Sequence, residues 1–154
     1  MNNFLFGDAT RQYYETICGG MGAGDGWNGQ SAVQTHMTNT RMTAPEVLEL
    51  RYPVRLELFG IRRGSGGAGK WHGGDGAVRR IRFLEPMTAV IVSSRRNVAP
   101  FGLAGGADGA AGRQWVERAG GARDVLTGTD KAELAPGDLF VIETPGGGGF
   151  GAAG

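Results

Sequence analysis

The chain has 154 residues and is rich in glycine, with 30 Gly beside 6 Pro. Glycine makes up roughly 7% of an average protein, and its share here is more than twice that. Because each Gly weakens a helix by about 1 kcal/mol relative to Ala, this composition argues against a mainly helical fold. The glycines follow no three-residue period, which excludes collagen, and 40% of the residues are hydrophobic. We therefore predict one compact domain over residues 1–154.

The charges are balanced, with 16 Lys and Arg against 15 Asp and Glu. This balance argues against a nucleic-acid partner or a membrane-surface protein. Arginine supplies 14 of the 16 basic residues; its guanidinium suits carboxylate or phosphate binding, although a GC-rich genome produces the same bias. The single cysteine, Cys18, fits a reducing compartment, and the longest aliphatic run, 89–92, is too short for a membrane span. We expect a cytoplasmic protein without a secretory leader.

Short segments between the glycine-rich stretches have the composition of β-strands. Aromatic and β-branched residues mark 12–17, and strict alternation at 54–58 and 81–83 predicts strands with one buried face, which Val54, Leu56 and Leu58 share in the first. The run 89–92 is typical of a strand buried on both faces. A Pro-Gly turn at 135–138 opens a further strand that ends at Glu143. These segments predict a mainly β fold (β-rich α+β) of compact antiparallel sheets with glycine-rich loops.

A short helix is predicted at 44–51. Thr43 is placed to cap it, and Glu46 stands three residues later, as in a capping box. A proline in the first turn also suits a helix start. The helix must end near residue 51, because the residue before Pro53 favours extended backbone.

Two glycine-rich loops resemble nucleotide-binding patterns. Residues 24–29 match the dinucleotide pattern GxGxxG, and residues 64–70 match a P-loop up to Trp71, which replaces the Ser or Thr that binds Mg²⁺. Both patterns require a helix directly after the loop, and no helical periodicity follows either one. We therefore predict ordered turns and no cofactor-binding residues in this chain.

The most chemically loaded stretch is residues 35–41, which carry three hydroxyls, an imidazole, an amide and a guanidinium just before the predicted helix. A helix N-terminus favours anions, so the stretch predicts a patch that grips an anion or positions water. The alternative is a polar turn whose side chains satisfy the backbone. Arg95-Arg96 forms a second candidate anion clamp, with a solvated strand end as its alternative. Two histidines and one cysteine offer no metal-binding spacing, and no metal site is predicted.

Four stretches, in this order, resemble the C-terminal part of the hydantoinase B/5-oxoprolinase family, on its 5-oxoprolinase side. They are Tyr13-Tyr14-Glu15-Thr16 with the following Gly-Gly-x-Gly-Ala-Gly, Met37-Thr38-Asn39-Thr40-Arg41 with Pro45-Glu46 and Leu48-Glu49, residues 63–69 with 73–76, and residues 144–151. The sequence departs from the family at Ala44, where an Asp is usual.

The resemblance implies an ATP-dependent cyclic-amide hydrolase that opens 5-oxo-L-proline to L-glutamate. It also implies that ATP with Mg²⁺ binds to a separate hydantoinase A-like portion. On this interpretation the chain is a C-terminal fragment, inactive alone, whose partners are that portion and the remaining hydantoinase B portion in an oligomer. The alternative is a non-catalytic assembly module of a hydantoinase or acetone-carboxylase-type complex.

Within the first interpretation we expect His36 and Glu46 to be catalytic and Asn39 and Arg41 to bind substrate. The ordinary pKa of histidine, near 6.5, suits proton transfer to or from water. Arg41 would hold the substrate carboxylate through two parallel hydrogen bonds, with Glu46 in support. The chemistry of the side chains assigns these roles; the family motif does not.

Overall fold

A computed structural model describes residues 1–35 and 39–154. In these ranges the chain forms nine strands and one short helix. Their bounds are β1 Asn2–Gly7, β2 Gln12–Thr16, α1 Pro45–Arg51, β3 Val54–Arg62, β4 Gly76–Phe83, β5 Met87–Ser93, β6 Arg113–Glu117, β7 Arg123–Leu126, β8 Thr129–Leu134 and β9 Leu139–Glu143. The mainly β fold with one short helix is therefore confirmed. No helix in the described part of the chain is long and apolar enough to cross a membrane.

The strands pair into two antiparallel sheets. One has four strands in the order β2-β1-β5-β8, and the other has five in the order β3-β4-β9-β6-β7. The main apolar core joins residues of both sheets, as the aromatic contacts show, and Trp115, Leu139 and Val141 form a second, smaller cluster. The Phe4 and Phe140 ring centroids lie 4.7 Å apart, and Phe6 meets Phe83 edge-on at 5.3 Å. Burying each such side chain contributes about 1.5–3 kcal/mol, so this core stabilises the sandwich.

Helix α1 begins where expected, but its cap differs from the prediction. Ala44 is the N-cap and makes no side-chain capping hydrogen bond. The capping box predicted from Thr43 and Glu46 is wrong, because Pro45 starts the helix one residue too late for that pairing. The helix ends as predicted at Tyr52, whose backbone is extended. Its attachment to the core depends on Leu48, which is fully buried.

Two strands depart from their predicted burial. The pairing of β3 with β4 shifts register between Leu56 and Leu58, and Leu58 is 45% exposed, so it does not share the buried face of Val54. A bulge of this kind re-aims the residues that follow it. In β5 only one face is covered, since Ile91 is buried and Val92 is exposed. The prediction of a strand buried on both faces is therefore wrong.

The glycine-rich segments form a packed layer of their own, which we call the glycine bundle. It consists of residues 19–30, 64–75, 101–110 and 145–151. Backbone hydrogen bonds join the last segment to the other three. Gly20 N–H donates to Pro145 O at 2.9 Å, Gly67 N–H donates to Gly147 O at 2.8 Å, and Leu103 N–H donates to Gly149 O at 2.9 Å.

The segments of the bundle lie too close together for side chains. A Cβ on Gly147 would stand 2.0 Å from the Met21 carbonyl oxygen, and one on Gly20 would stand 1.9 Å from Gly74 O. Because no real Cβ approaches an atom this closely, either substitution would push backbone apart. The sequence-based prediction of ordered glycine turns thus understates their role, since the same residues form a backbone-packed interior.

Candidate functional site

A cavity of about 460 Å³ lies where the glycine bundle meets the strands β1 and β2. Its volume is within the range of small-molecule sites. The glycine backbone of residues 145–149 forms part of its wall. Polar side chains reach it from the sheet and from neighbouring loops, namely Asn2, Thr16, Gln34, Thr35, Ser94 and Arg95. We call this space the main cavity.

Hydrogen bonds fix the polar groups on the sheet side of the main cavity. Asn2 is buried; its Nδ2 donates to Ile17 O at 3.1 Å, and its Oδ1 accepts a hydrogen bond from Arg96 at 2.9 Å. Gln34 Nε2 donates to Thr16 O at 2.8 Å, which ties the loop after the bundle's first segment to β2. A wall held in this way is pre-organised for a ligand.

The main cavity is electropositive. Arg95 carries the one charged side chain in the described part of its lining, and no Asp or Glu lines it there. The Arg95 Cζ atom lies 5.4 Å from the centroid of the Phe101 ring, and Nη1 donates to Ala99 O at 3.4 Å. Arg95 also has a backbone φ of 60°, which is uncommon for a residue other than glycine. A cation held over an aromatic ring at a cavity wall suits an anionic ligand.

Arg96 contacts Asn2 in this wall and is half-buried. Its Nε donates to Gln114 Oε1, and its Nη1 donates to Asn2 Oδ1 and to Ser94 O at 2.8 Å. Its buried Nη2 has no hydrogen-bond partner among residues 1–35 and 39–154. Burial, with a contribution from the charge of Arg62, lowers the pKa of Arg96 to about 10, so the guanidinium stays charged at neutral pH. The Arg96 side chain is thus held by protein groups, whereas Arg95 is exposed, and the choice between an anion clamp and a solvated strand end stays a prediction.

The described residues of the predicted site are exposed and lie outside the described lining of the main cavity. Thr35 lines the main cavity, whereas Asn39 and Arg41 are exposed and outside its described lining. Glu46 is exposed in the first turn of α1. His36 lies outside the described residues. Of the described residues in the stretch 35–41, Thr35 alone lines the cavity, and the four assigned roles stay predictions.

Sequence reasoning missed most of the cavity wall. Thr16 belongs to a quoted family motif, which could have marked it, and Arg95 was named only as part of a clamp. No sequence pattern marks Asn2 or Gln34 as lining the cavity, because their positions there depend on tertiary hydrogen bonds between distant segments.

A second groove, of about 550 Å³, runs along the free edge of β3 and is lined by residues 42–45, Phe59 and Arg79. Arg79 is 2% exposed and forms two hydrogen bonds to Glu15, of 2.6 and 2.9 Å. Tyr13 Oη donates to the same carboxylate at 2.9 Å. Because the charges of Glu15 and Arg79 satisfy each other, this buried pair is structural, and removal of one partner would leave the other uncompensated.

The loop 64–70 does not have the geometry of a P-loop. In the loop 64–70, Gly66 N–H donates to Asp75 Oδ1 at 2.7 Å, and the amides of Gly67 and Lys70 donate to carbonyls of the last glycine segment. A P-loop binds phosphate through free amides at a helix start, whereas here the amides of Gly66, Gly67 and Lys70 donate within the protein and the next described element is the strand β4. In the described ranges no three His, Cys, Asp or Glu side chains come together to hold a metal.

Comparison with known proteins gives a match over nearly the whole chain. A family model described as hydantoinase B/oxoprolinase matches residues 1–153. The 5-oxoprolinase 1 of Arabidopsis thaliana is 52% identical over 152 residues, which are 99% of this chain and 12% of that protein. The 5-oxoprolinase of Dictyostelium discoideum is 49% identical over 151 residues, 98% of this chain and 12% of that protein. The chain thus spans about 12% of the length of these relatives.

Two solved structures have a similar fold. A nucleotide-free acetone carboxylase superposes with a TM-score of 0.75 at 19% identity, over 98% of this chain and 25% of that one. The ATP-dependent caprolactamase of Pseudomonas jessenii superposes with a TM-score of 0.73 at 21% identity, over 97% of this chain and 28% of that one. At these identities the likeness establishes the fold alone.

Proposed function

The chain belongs to the hydantoinase B/oxoprolinase family, and from this premise we propose that it forms one part of an ATP-dependent cyclic-amide hydrolase that opens 5-oxo-L-proline to L-glutamate. The observation that carries the proposal is about 50% identity to 5-oxoprolinases over essentially the whole chain. Since the chain spans 12% of those proteins, other portions complete the enzyme. The alternative activity of a carboxylase component has weaker support, because that likeness has 19% identity.

The main cavity is the place in this chain that suits a small lactam. It combines amide and hydroxyl groups with one guanidinium, and so offers donors for the ring carbonyl and for a carboxylate. An unactivated lactam is a poor electrophile, which is why nucleotide chemistry is required. We place ATP and Mg²⁺ on the hydantoinase A-like portion, because the glycine loops here have their amides in use.

His36 directly follows Thr35, which lines the main cavity. In this proposal the imidazole takes a proton from the water that attacks the lactam carbonyl carbon; the ring C–N bond then breaks, and the nitrogen gains a proton. Asn39, Arg41 and Glu46 are exposed in the chain as it stands. They contribute to the substrate site, in this proposal, where the remaining portions of the enzyme cover them.

The test is ATP-dependent glutamate release from 5-oxo-L-proline. It is run with this chain, with the remaining portions of the enzyme expressed separately, and with the two mixed; we expect turnover only in the mixture. His36→Ala should lower kcat by about 10²- to 10⁴-fold, the usual contribution of a general base. His72→Ala is the matched control, because His72 is the other histidine and is exposed. Unchanged turnover in the His36 variant would remove the assigned role.

A second candidate function, a non-catalytic assembly module, is favoured by one surface. Strand β3 is at the edge of the five-stranded sheet, and Leu58, Phe59 and Ile61 on it are 44–46% exposed. A long apolar edge strand is a template for pairing with another chain, and native proteins normally protect such edges. The missing hydantoinase B portion is the partner we assign to it, since most of the length of the relatives lies outside this chain.

Binding to that separately expressed portion tests the surface. Ile61→Asp should weaken the complex by about 10-fold or more, because it places a charge in an apolar contact. Val125→Asp is the control, since Val125 is 73% exposed on the opposite edge strand β7. Equal affinity of the two variants would exclude this edge. If the complex forms while cavity substitutions leave turnover unchanged, assembly alone is the function of the chain.

A further inference from the structure

We propose that the main cavity is an oxyanion-binding site in which Arg95 contacts a carboxylate or phosphate group of a small molecule. The inference rests on the proposed function and deepens it, because it names the chemical class of ligand and the residue that recognises it. Arg95 is the arginine that lines this cavity, and Arg41 is exposed and outside the described lining.

The first argument is the balance of charge. Neither Arg95 nor Arg96 forms an ion pair with a carboxylate of the described residues. The contrast is Arg79, which is 2% exposed and is paired with Glu15 through two hydrogen bonds. Within the described residues Arg95 is exposed, Arg96 is half-buried with an unpartnered Nη2, and an anion in the adjacent cavity would supply the counter-charge that both lack.

The second argument is that hydrogen bonds to protein groups fix the position of the Arg96 guanidinium. Gln114, Asn2 and Ser94 O accept hydrogen bonds from its Nε and Nη1. Room for the guanidinium exists because residue 112 is glycine; a Cβ there would stand 2.3 Å from Arg96 Nη1. Asn2, which accepts from Arg96, itself lines the main cavity. Arg96 is thus a positioning residue that adds positive potential behind the wall.

The third argument is the set of donors around Arg95. The hydroxyl-bearing side chains of Thr16, Thr35 and Ser94 line the same cavity. The Thr16 hydroxyl donates to Asn3 Oδ1 and the Ser94 hydroxyl accepts from the N-terminal ammonium. The Arg95 guanidinium beside the Thr35 hydroxyl therefore supplies the donors that match the oxygens of a carboxylate or a phosphate. The left-handed backbone of Arg95, φ 60°, is the kind of conformation that clusters at ligand sites.

Calorimetric titration of the full 154-residue chain tests the site, with three probes. They are 5-oxo-L-proline, the neutral lactam 2-pyrrolidinone, which lacks the carboxylate, and inorganic phosphate. We expect binding of 5-oxo-L-proline, at least 10-fold weaker binding of 2-pyrrolidinone, and a loss of about 10- to 100-fold in oxyanion affinity for Arg95→Gln. Arg95→Lys should recover part of the loss. Arg55→Gln, an exposed arginine on β3, is the control and should bind as the native chain does.

The outcomes separate the two sources of the anion. Competition by millimolar phosphate with the same dependence on Arg95 assigns the site to a phosphate group, and its absence assigns the site to the substrate carboxylate. For Arg96, the Lys variant should keep the affinity within about 3-fold and the Gln variant should lower it; a purely structural residue would lower the melting temperature in both and leave the affinity unchanged.

Different experimental results would overturn this inference and the proposed function. If the mixture with the remaining portions releases glutamate and Arg95→Gln has a native KM for 5-oxo-L-proline, the inference is overturned and the function stands. If oxyanions bind through Arg95 but no mixture releases glutamate, the function is overturned and the site stands. Equal affinity for 5-oxo-L-proline and 2-pyrrolidinone, unaffected by Arg95→Gln and with no phosphate binding, also overturns the inference.

Discussion

The sandwich of two sheets and the glycine bundle are both packed interiors, yet different parts of the chain fill them. Side chains fill the sandwich, where Phe4, Phe6, Phe83 and Phe140 meet across the core. Backbone fills the bundle, where carbonyl oxygens occupy the space in which a Cβ of Gly147 would lie. The two regions therefore respond to opposite kinds of substitution. Removing side-chain atoms destabilises the sandwich, whereas adding one methyl group destabilises the bundle.

This difference bears on the main cavity, which lies at the boundary between the two regions. Its bundle side presents backbone, whose position depends on hydrogen bonds such as that from Gly20 N–H to Pro145 O. Its sheet side presents side chains, among them Asn2 and Arg95. The bundle therefore fixes the shape of the cavity, and the sheets and loops supply its charge.

The largest effect is expected for Gly147→Ala. The new Cβ would stand 2.0 Å from Met21 O, so backbone must separate and several inter-segment hydrogen bonds must break. We expect a loss of more than about 4 kcal/mol in the free energy of unfolding, or failure to fold. Urea denaturation measures it. Gly120→Ala, which has nothing within 4 Å of its Cβ, is the control and should stay within about 1 kcal/mol of the native chain.

A somewhat smaller effect is expected in the sandwich for Phe140→Ala. Phe140 is 1% exposed and contacts Phe4, so truncation leaves a cavity in the joint core and costs about 3–5 kcal/mol. Phe140→Leu should lose less, because it keeps most of the volume. The same urea experiment decides. A sandwich variant that is consistently worse than Gly147→Ala would reverse the order we assign to the two regions.

The smallest of the three effects is the pH-dependent contribution of the Asp138 carboxylate to stability, in the turn before β9. Burial acts to raise the pKa of Asp138, but hydrogen bonds from the Ala135 and Ala119 amides and from Arg118 outweigh it and lower that pKa below its ordinary value of 3.8. The carboxylate thus stabilises the fold above the unfolded-state pKa, and this contribution is lost as the pH falls through the lower folded-state value.

Asp138→Asn should therefore cost about 1–3 kcal/mol at pH 7 and less as the pH falls below about 4. Thermal unfolding between pH 7 and pH 2.5 measures the difference between the variant and the native chain. A difference that does not change over this range would contradict the assigned role of the carboxylate.

Much of the sandwich was predictable from sequence, because alternation and turn residues act locally. The turn at 135–138 formed as expected, with Asp138 N–H donating to Ala135 O at 3.0 Å. Strands β6, β7 and β8 were not predicted. The charged strand β8, for example, is placed by its pairing with β5, which its own sequence does not indicate. The bundle was not predictable as an interior, because glycine has no side chain whose periodicity could reveal a buried face.

The site was less accessible to sequence reasoning than the fold. The side chains of residues 35–41 predict a functional patch, and of these residues Thr35 lines the main cavity. Arg95 and Arg96 follow a strand, so in sequence they look like a solvated strand end. Only tertiary contacts could distinguish a ligand-binding pair from such an end. The burial of Arg96 depends on Asn2 and Gln114, which are distant in sequence.

The central claim is that the glycine bundle is a true interior that forms one wall of the main cavity. Hydrogen exchange of the full chain, followed by mass spectrometry, tests it most directly. We predict that segments 64–75 and 145–151 exchange as slowly as β4 and β9, since their amides donate to backbone within the bundle. Exchange of these segments as fast as that of the exposed turn at Gly120 and Gly121 would contradict the claim.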